Sequence, residues 1–258
     1  NPTEPTTVKA AGPADSQQTE ENLCVIKGKL ETLKALTQAP PSVKKLSGET
    51  LPAASSTPPK NQELSLRKDI LTLVVRCAGN ETESLLSTIR DIPLVGKDEQ
   101  DTQQIITNSI DRALRTYRSF EEDIAALETV EGAKAHAVQI AEWRESQHLP
   151  LAETARNFIL WTNNQNLIEK ARTRLLQIKQ SIVALRLTQN EAVQLSFERA
   201  RTFLLRADDE HIRARQSIER SEVPDRSLDH LKQSLGELYR TYGAFLEVTD
   251  VMRKALQE

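Results

Sequence analysis

The chain has 258 residues, with 34 Lys and Arg against 37 Asp and Glu, a net charge of -3 and a pI near 6.0. That balance excludes a strong overall attraction to nucleic acid or to an anionic membrane surface, and no run approaches the roughly 20 apolar residues that a membrane-spanning helix needs. Eight glycines are too few for a sandwich or barrel of many tight turns, and with only two Trp, three Tyr and five Phe the core has to be built from Leu, Ile, Val and Ala.

The first residue is Asn1, not Met, and no leader pattern follows it. The expectation is a cleaved leader or a piece of a longer chain. Residues 1–15 read as a flexible tether, rich in Pro, Thr and Ala. A first helix is predicted over 16–38, with Leu23, Ile26, Leu30 and Leu33 on one face. A Pro/Ser/Thr-rich linker follows over 39–62, and 63–258 is expected to form the main bundle. Cys24 and Cys77 fall in different predicted helices. They can form one disulfide in an oxidising compartment or remain two reduced thiols. The tether and this pair favour an exported chain, periplasmic or at the cell surface, slightly over a cytoplasmic one.

A second helix is predicted over 63–78, with Ile70, Leu73, Val74 and Cys77 clustered and Gly79 closing it. Asn80 then caps a short helix, with Glu83 in the capping-box position, and Pro93 and Gly96 end it. Asn80-Glu81-Thr82 also has the N-glycosylation pattern. From Asp98, Ile106, Ile110, Ala113, Tyr117, Phe120, Ile124 and Leu127 alternate four and three apart, predicting one long helix to about Gln147, bent at Gly132 and stopped at Leu149-Pro150.

Beyond Pro150, Ile168, Ala171, Leu175, Ile178, Ile182 and Leu185 hold a second seam. Val193, Phe197, Ala200, Leu204, Ala207, His211, Ala214 and Ile218 hold a third, out of phase with it. With no Gly or Pro between Leu151 and Val223, the favoured reading is a continuous or kinked helix through Thr188. The alternative is a new helix capped by Thr188 and Glu191. Pro224 ends this stretch, and a last helix starts at Asp225 with a seam of Leu228, Leu231, Leu235, Leu238, Tyr242, Phe245, Thr249, Met252 and Leu256. No alternating strand pattern occurs. The fold expected is all-α, an elongated antiparallel helical bundle with coiled-coil-like packing, its neighbours folded back at Leu149-Pro150 and Val223-Pro224. Asp98–Glu131 carries nine acidic residues against three arginines and Ile168–Arg220 eleven basic against seven acidic, so the two stretches are expected to match along their flanks.

Glu145 and His148 have the Glu-x-x-His spacing of carboxylate-bridged metal bundles, and Asp208 with His211 imitates it. The plainer reading is a solvated helix end and a structural histidine, and no metal or other cofactor is assigned. A pH switch at His211 is the sharper alternative. Arg199, Arg206, Arg213 and Arg220 recur every seven residues, and Arg172, Lys179 and Arg186 form a second basic row. Such rows dock acidic partners or face solvent and neighbouring helices. Phe158, Ile159, Leu160 and Trp161 cover more than one helix face. They either close a bundle end or form a partner patch with Trp143.

No glycine-rich phosphate loop, zinc-spaced Cys/His cluster or nucleophile elbow is present, so no catalytic residue is assigned and a non-enzyme is expected. The leading expectation is a structural or interaction protein that docks a protein partner or its own copy, with Trp143, Phe158 and Trp161 as anchors and Arg199, Arg206, Arg213 and Arg220 as electrostatic guide. A ligand- or metal-binding bundle is the alternative, and attachment to a membrane surface through the basic rows ranks below both.

Overall fold

In a computed structural model, residues 29–34, 60–94, 96–220 and 222–257 are described, and every element among them is helical. The protein is an all-α helical bundle, with six long helices among the described residues: α1 (Lys60–Arg90), α2 (Lys97–Ala126), α3 (Val130–Trp143), α4 (Leu149–Ala184), α5 (Glu191–Glu219) and α6 (Pro224–Ala255). A π-helical segment, Arg144–His148, joins α3 to α4. Residues 29–34 are also helical, and Lys29 Nζ lies 2.7 Å from Asp69 of α1. The tether, Leu23, Ile26, Cys24 and the Cys24–Cys77 pairing lie outside the described residues. No helix among the described residues is long and apolar enough to cross a membrane. The described residues divide into two compact units, one within 1–84 and 112–144, the other within 85–111 and 145–258.

In the first unit, Leu71, Val75 and Ala78 of α1, Tyr117, Phe120 and Ile124 of α2, and Ala133 and Ile140 of α3 form the core. Trp143 packs at its margin, with its ring edge-on to Tyr117 at 5.0 Å and to Phe120 at 5.4 Å. Lys68 Nζ donates to Ala125 O at 2.7 Å and Leu127 O at 3.1 Å, so a cation satisfies carbonyls at the end of α2, where the helix dipole is negative.

In the second unit, α4, α5 and α6 share a core of Ile168, Ala171, Ile178 and Ile182, then Val193, Phe197, Ala200, Leu204 and Ala207, then Leu238, Phe245, Val248 and Met252. Buried polar pairs fix its register. Asn157 Nδ2 donates to Ser227 Oγ at 2.9 Å, and one heptad on Asn164 Nδ2 donates to Ser234 Oγ at 2.8 Å. Both pairs climb in the same direction, so α4 and α6 run parallel. Contacts between α5 and its neighbours, such as Arg172–Asp208 and Arg199–Glu247, run the opposite way. A slip of one turn would leave these buried groups without partners, which is costlier than losing an apolar contact of the same size.

The backbone departs from the predicted boundaries at four places. At Gly79-Asn80 there is no break, because the buried stripe Leu71, Val75, Ala78, Thr82, Leu86 and Ile89 runs straight through. A mid-helix glycine costs only about 1 kcal/mol, less than that burial gains. The long helix predicted from Asp98 instead ends at Ala126 and restarts at Val130, where extended Thr129 accepts the Gly132 N–H on its hydroxyl at 3.0 Å.

At Leu149-Pro150 the backbone stays helical. His148 is in the right-handed helical region and Pro150 occupies the first turn of α4, so the chain does not fold back there. The wider π turn just before it accommodates a residue that lacks an N–H.

At Thr188 the favoured continuous helix is overturned. α4 ends with Leu187 N–H bonded to Ile182 O at 3.0 Å and Arg186 N–H to Val183 O at 3.1 Å, the paired bonds of a Schellman cap. Arg186 takes the left-handed conformation normally left to glycine, at φ 59, and Leu187 and Ile182 bury against each other's surroundings. Asn190, not Thr188, caps α5, accepting Val193 N–H at 3.1 Å. Arg186→Gly should therefore stabilise the protein by about 1 kcal/mol. A urea midpoint unchanged or lowered in that variant would contradict this geometry.

Candidate functional site

Phe158 and Trp161 are 0% and 3% exposed, so the bundle interior covers them and they cannot anchor a partner. Their rings stack at 5.7 Å, and Trp161 stacks on His211 at 5.0 Å and 9° while donating Nε1–H to His211 O at 3.2 Å. Trp143, half-buried, packs against the core of the other unit. The heptad pattern alone did not show that both faces of this part of α4 would be covered.

Four of the seven cations in the two basic rows are ion-paired among the described residues. Arg199 reaches Glu247 at 3.0 Å, Arg213 reaches Glu210 at 2.6 Å and Arg220 reaches Glu222 at 3.9 Å. Arg172 bridges Glu169 and Asp208. Arg206 is exposed and makes no ion pair among the described residues. Of the flank match expected with the acidic stretch, Arg215–Asp98 is present, supported by Glu219, whose carboxylate also accepts the Thr102 hydroxyl at 2.9 Å.

The metal-like pairs do not converge. Glu145 is exposed while His148 is buried, because the π winding between them takes the two side chains off a common face. Asp208 is held by Arg172. No cluster of three or more metal-binding side chains occurs among the described residues.

His211 is buried beside a polar chain. Ser234 Oγ donates to Ala207 O at 2.7 Å, and Asn164 Nδ2 donates to Ser234 Oγ at 2.8 Å. The same NH2 lies 3.4 Å from His211 Nδ1, while His211 Nε2 is buried without a hydrogen-bond partner among the described residues. Burial lowers the imidazole to about 4. Asp208 and Glu99 oppose that shift, and Arg172 and Arg215 add to it. Elsewhere burial pushes the Tyr117 phenol up to about 12 and raises the Cys77 thiol, with Glu81 adding to the latter. In each case desolvation comes first, the signature of packed groups rather than of an activated acid-base pair.

A different face stands open. The predicted seam of α6 is split: Leu231, Leu238, Phe245 and Met252 are buried, whereas Leu235, Tyr242, Thr249 and Leu256 are at the surface. The inner face is completed by Ser227, Ser234 and Thr241, polar residues that an apolar pattern passes over. Outward, Leu235, Tyr239, Tyr242 and Leu246 form a second row, with Tyr239 83% and Leu246 71% exposed. Beside it α4 contributes Lys170, Thr173, Arg174 and Gln177 to a groove of about 870 Å³ floored by Phe245. Tyr242 meets Phe245 edge-on at 5.5 Å. The arrangement offers aromatic and aliphatic surface with hydroxyl and cationic groups along one wall, suited to a helix or an extended apolar segment. No family model matches the chain, and neither a curated protein nor a solved structure is significantly similar to it.

Proposed function

We propose that the chain is a non-enzymatic interaction protein, a helical scaffold whose α4–α5–α6 bundle presents the outer face of α6 to a protein partner. One observation carries the reading: the row Leu235, Tyr239, Tyr242 and Leu246 is solvent-exposed along a helix whose opposite face already supplies the core. Large apolar side chains exposed side by side in one row mark an interaction surface more than ones scattered singly do. The interior supports the same reading, because the polar ladder of Asn157, Asn164, Ser227 and Ser234 fixes the register that holds this face rigid. The arginine rows act as internal ties, and the docking surface is aromatic instead of basic.

A photo-crosslinking amino acid placed at Tyr239, in the organism that carries the gene, should yield a discrete protein adduct. The same probe at Asp209, on the exposed side of α5, should not. Equal labelling from both positions, or none from Tyr239, would refute the reading.

A further inference from the structure

The outer face of α6 has a symmetry that goes beyond exposure. Lys232, Leu235, Tyr239, Leu246 and Asp250 recur at steps of three, four and seven, which keeps them on one stripe. Lys232 and Asp250 lie nine positions before and after Thr241, Gly236 and Leu246 five before and after, Tyr239 and Gly243 two before and after. Each member of these pairs is the complement of the other: cation and anion, space and bulk.

Neither glycine of α6 is packed upon by the described residues. Both lie inside α6, and a Cβ at either would meet nothing within 4 Å. Each costs the helix roughly 0.5–1 kcal/mol relative to alanine. Gly79 of α1 is as open and is simply tolerated; Gly236 and Gly243 differ in flanking the row of large exposed apolar side chains, where a missing Cβ leaves room for a close approach.

From this geometry we infer that the occupant of the α6 face is a second copy of this chain, packed antiparallel about a two-fold axis at Thr241. In that arrangement Tyr239 of each copy lies over Gly243 of the other, Leu246 over Gly236, and Lys232 opposite Asp250. These contacts are isologous, so each occurs twice. Tyr239 and Leu246, the most exposed large apolar side chains of α6, thereby enter the two openings the glycines leave. Among the described residues Lys232 pairs with its neighbour Asp229, at 3.6 Å, and Asp250 with Arg253, at 3.1 Å, both exposed i,i+3 pairs that yield readily to a better partner.

The inference rests on the proposed docking role of this face and adds what docks there. Sedimentation of the full chain, from low into high micromolar concentration, tests it. Wild type should form a dimer. Gly243→Leu, which improves helix propensity and meets nothing in its own chain, should abolish the dimer without loss of helix signal. Lys232→Asp and Asp250→Lys should each weaken the dimer about tenfold, and the double exchange should restore it, because the two-fold axis pairs the swapped charges again. A wild type that stays monomeric, a dimer indifferent to Gly243→Leu, or a double exchange no better than the single ones would overturn the inference. A monomer that still gives a discrete foreign adduct from position 239 overturns the dimer and leaves the docking face standing. A monomer without any adduct overturns both.

Discussion

Phe158→Ala should cost about 3–5 kcal/mol of stability, among the largest effects of any single truncation in this chain. The side chain is wholly buried in the α4–α5–α6 unit and stacks on Trp161 at 5.7 Å, and Trp161 stacks in turn on His211. Removing the ring leaves a cavity beside two flat groups that cannot collapse into it without giving up the Trp161 Nε1–H bond to His211 O. The expected result is a thermal midpoint lowered by roughly 10 °C, or a chain that no longer folds. The outcome also separates two roles. A surface anchor at this position would leave stability untouched and lose only binding, so a variant with wild-type unfolding would refute the interior placement.

The second large effect is a pH dependence carried by His211. Its folded-state pKa, about 4, lies below that of an unfolded histidine, near 6.5. Between these values the unfolded chain takes up a proton that the folded chain refuses, so stability falls as pH falls through this window. Above about 6.5 both states are neutral and the contribution is flat. Below about 4 both are protonated and the loss is complete, on the order of 3 kcal/mol. The groups facing the ring are Asp208 of its own helix, Glu99 of α2, and Arg172 and Arg215 of α4 and α5. Two are acidic and two basic, so desolvation decides the sign. Urea titrations of wild type and His211→Gln from pH 7 to pH 4 check this, since the variant lacks the imidazole and keeps every carboxylate. The wild type should lose the extra stability and the variant should not, and parallel curves would contradict the assignment. His211 is thus a structural histidine whose protonation destabilises the bundle, rather than a switch poised near neutrality.

Much of the secondary structure was legible in the residues. The seam of α5, from Val193 to Ile218, is buried at every position named, and so is that of α2 from Ile106 to Ile124. Both are apolar or nearly so, and a heptad pattern reads them directly. The miss at Thr188 has a specific cause. Chain reversals announce themselves through glycine and proline, and here an arginine holds the left-handed position while Leu187 secures the cap from the core side. The clue that was present is Asn190 three residues before Val193, a capping spacing. The break at Thr129 was hidden likewise, because its cap is closed by Gly132, the residue that looked like a bend.

The candidate site was not legible, for the opposite reason. Phe158, Trp161 and Trp143 looked like docking residues because they are large and apolar, which is also what a core selects. The residues that do face outward on α6 looked like core, because Ser227, Ser234 and Thr241 occupy inner positions that a pattern reader gives to Leu228, Leu235 and Tyr242. The same reversal affects the arginines. A row at seven-residue spacing is visible in sequence, but whether Glu247, Glu210 and Glu222 already satisfy it depends on neighbours brought close by folding.

The order of residues alone determined that this chain is helical and, from the three-and-four spacing of Leu, Ile, Val and Ala, where most helices lie, since that spacing is a property of each segment by itself. Which face of each helix is buried was decided only in three dimensions. A serine or an asparagine is admitted to a core when another helix supplies its hydrogen-bond partner, as Ser234 is by Asn164 and Ala207 O. A leucine is left outside when the packing has no room to take it.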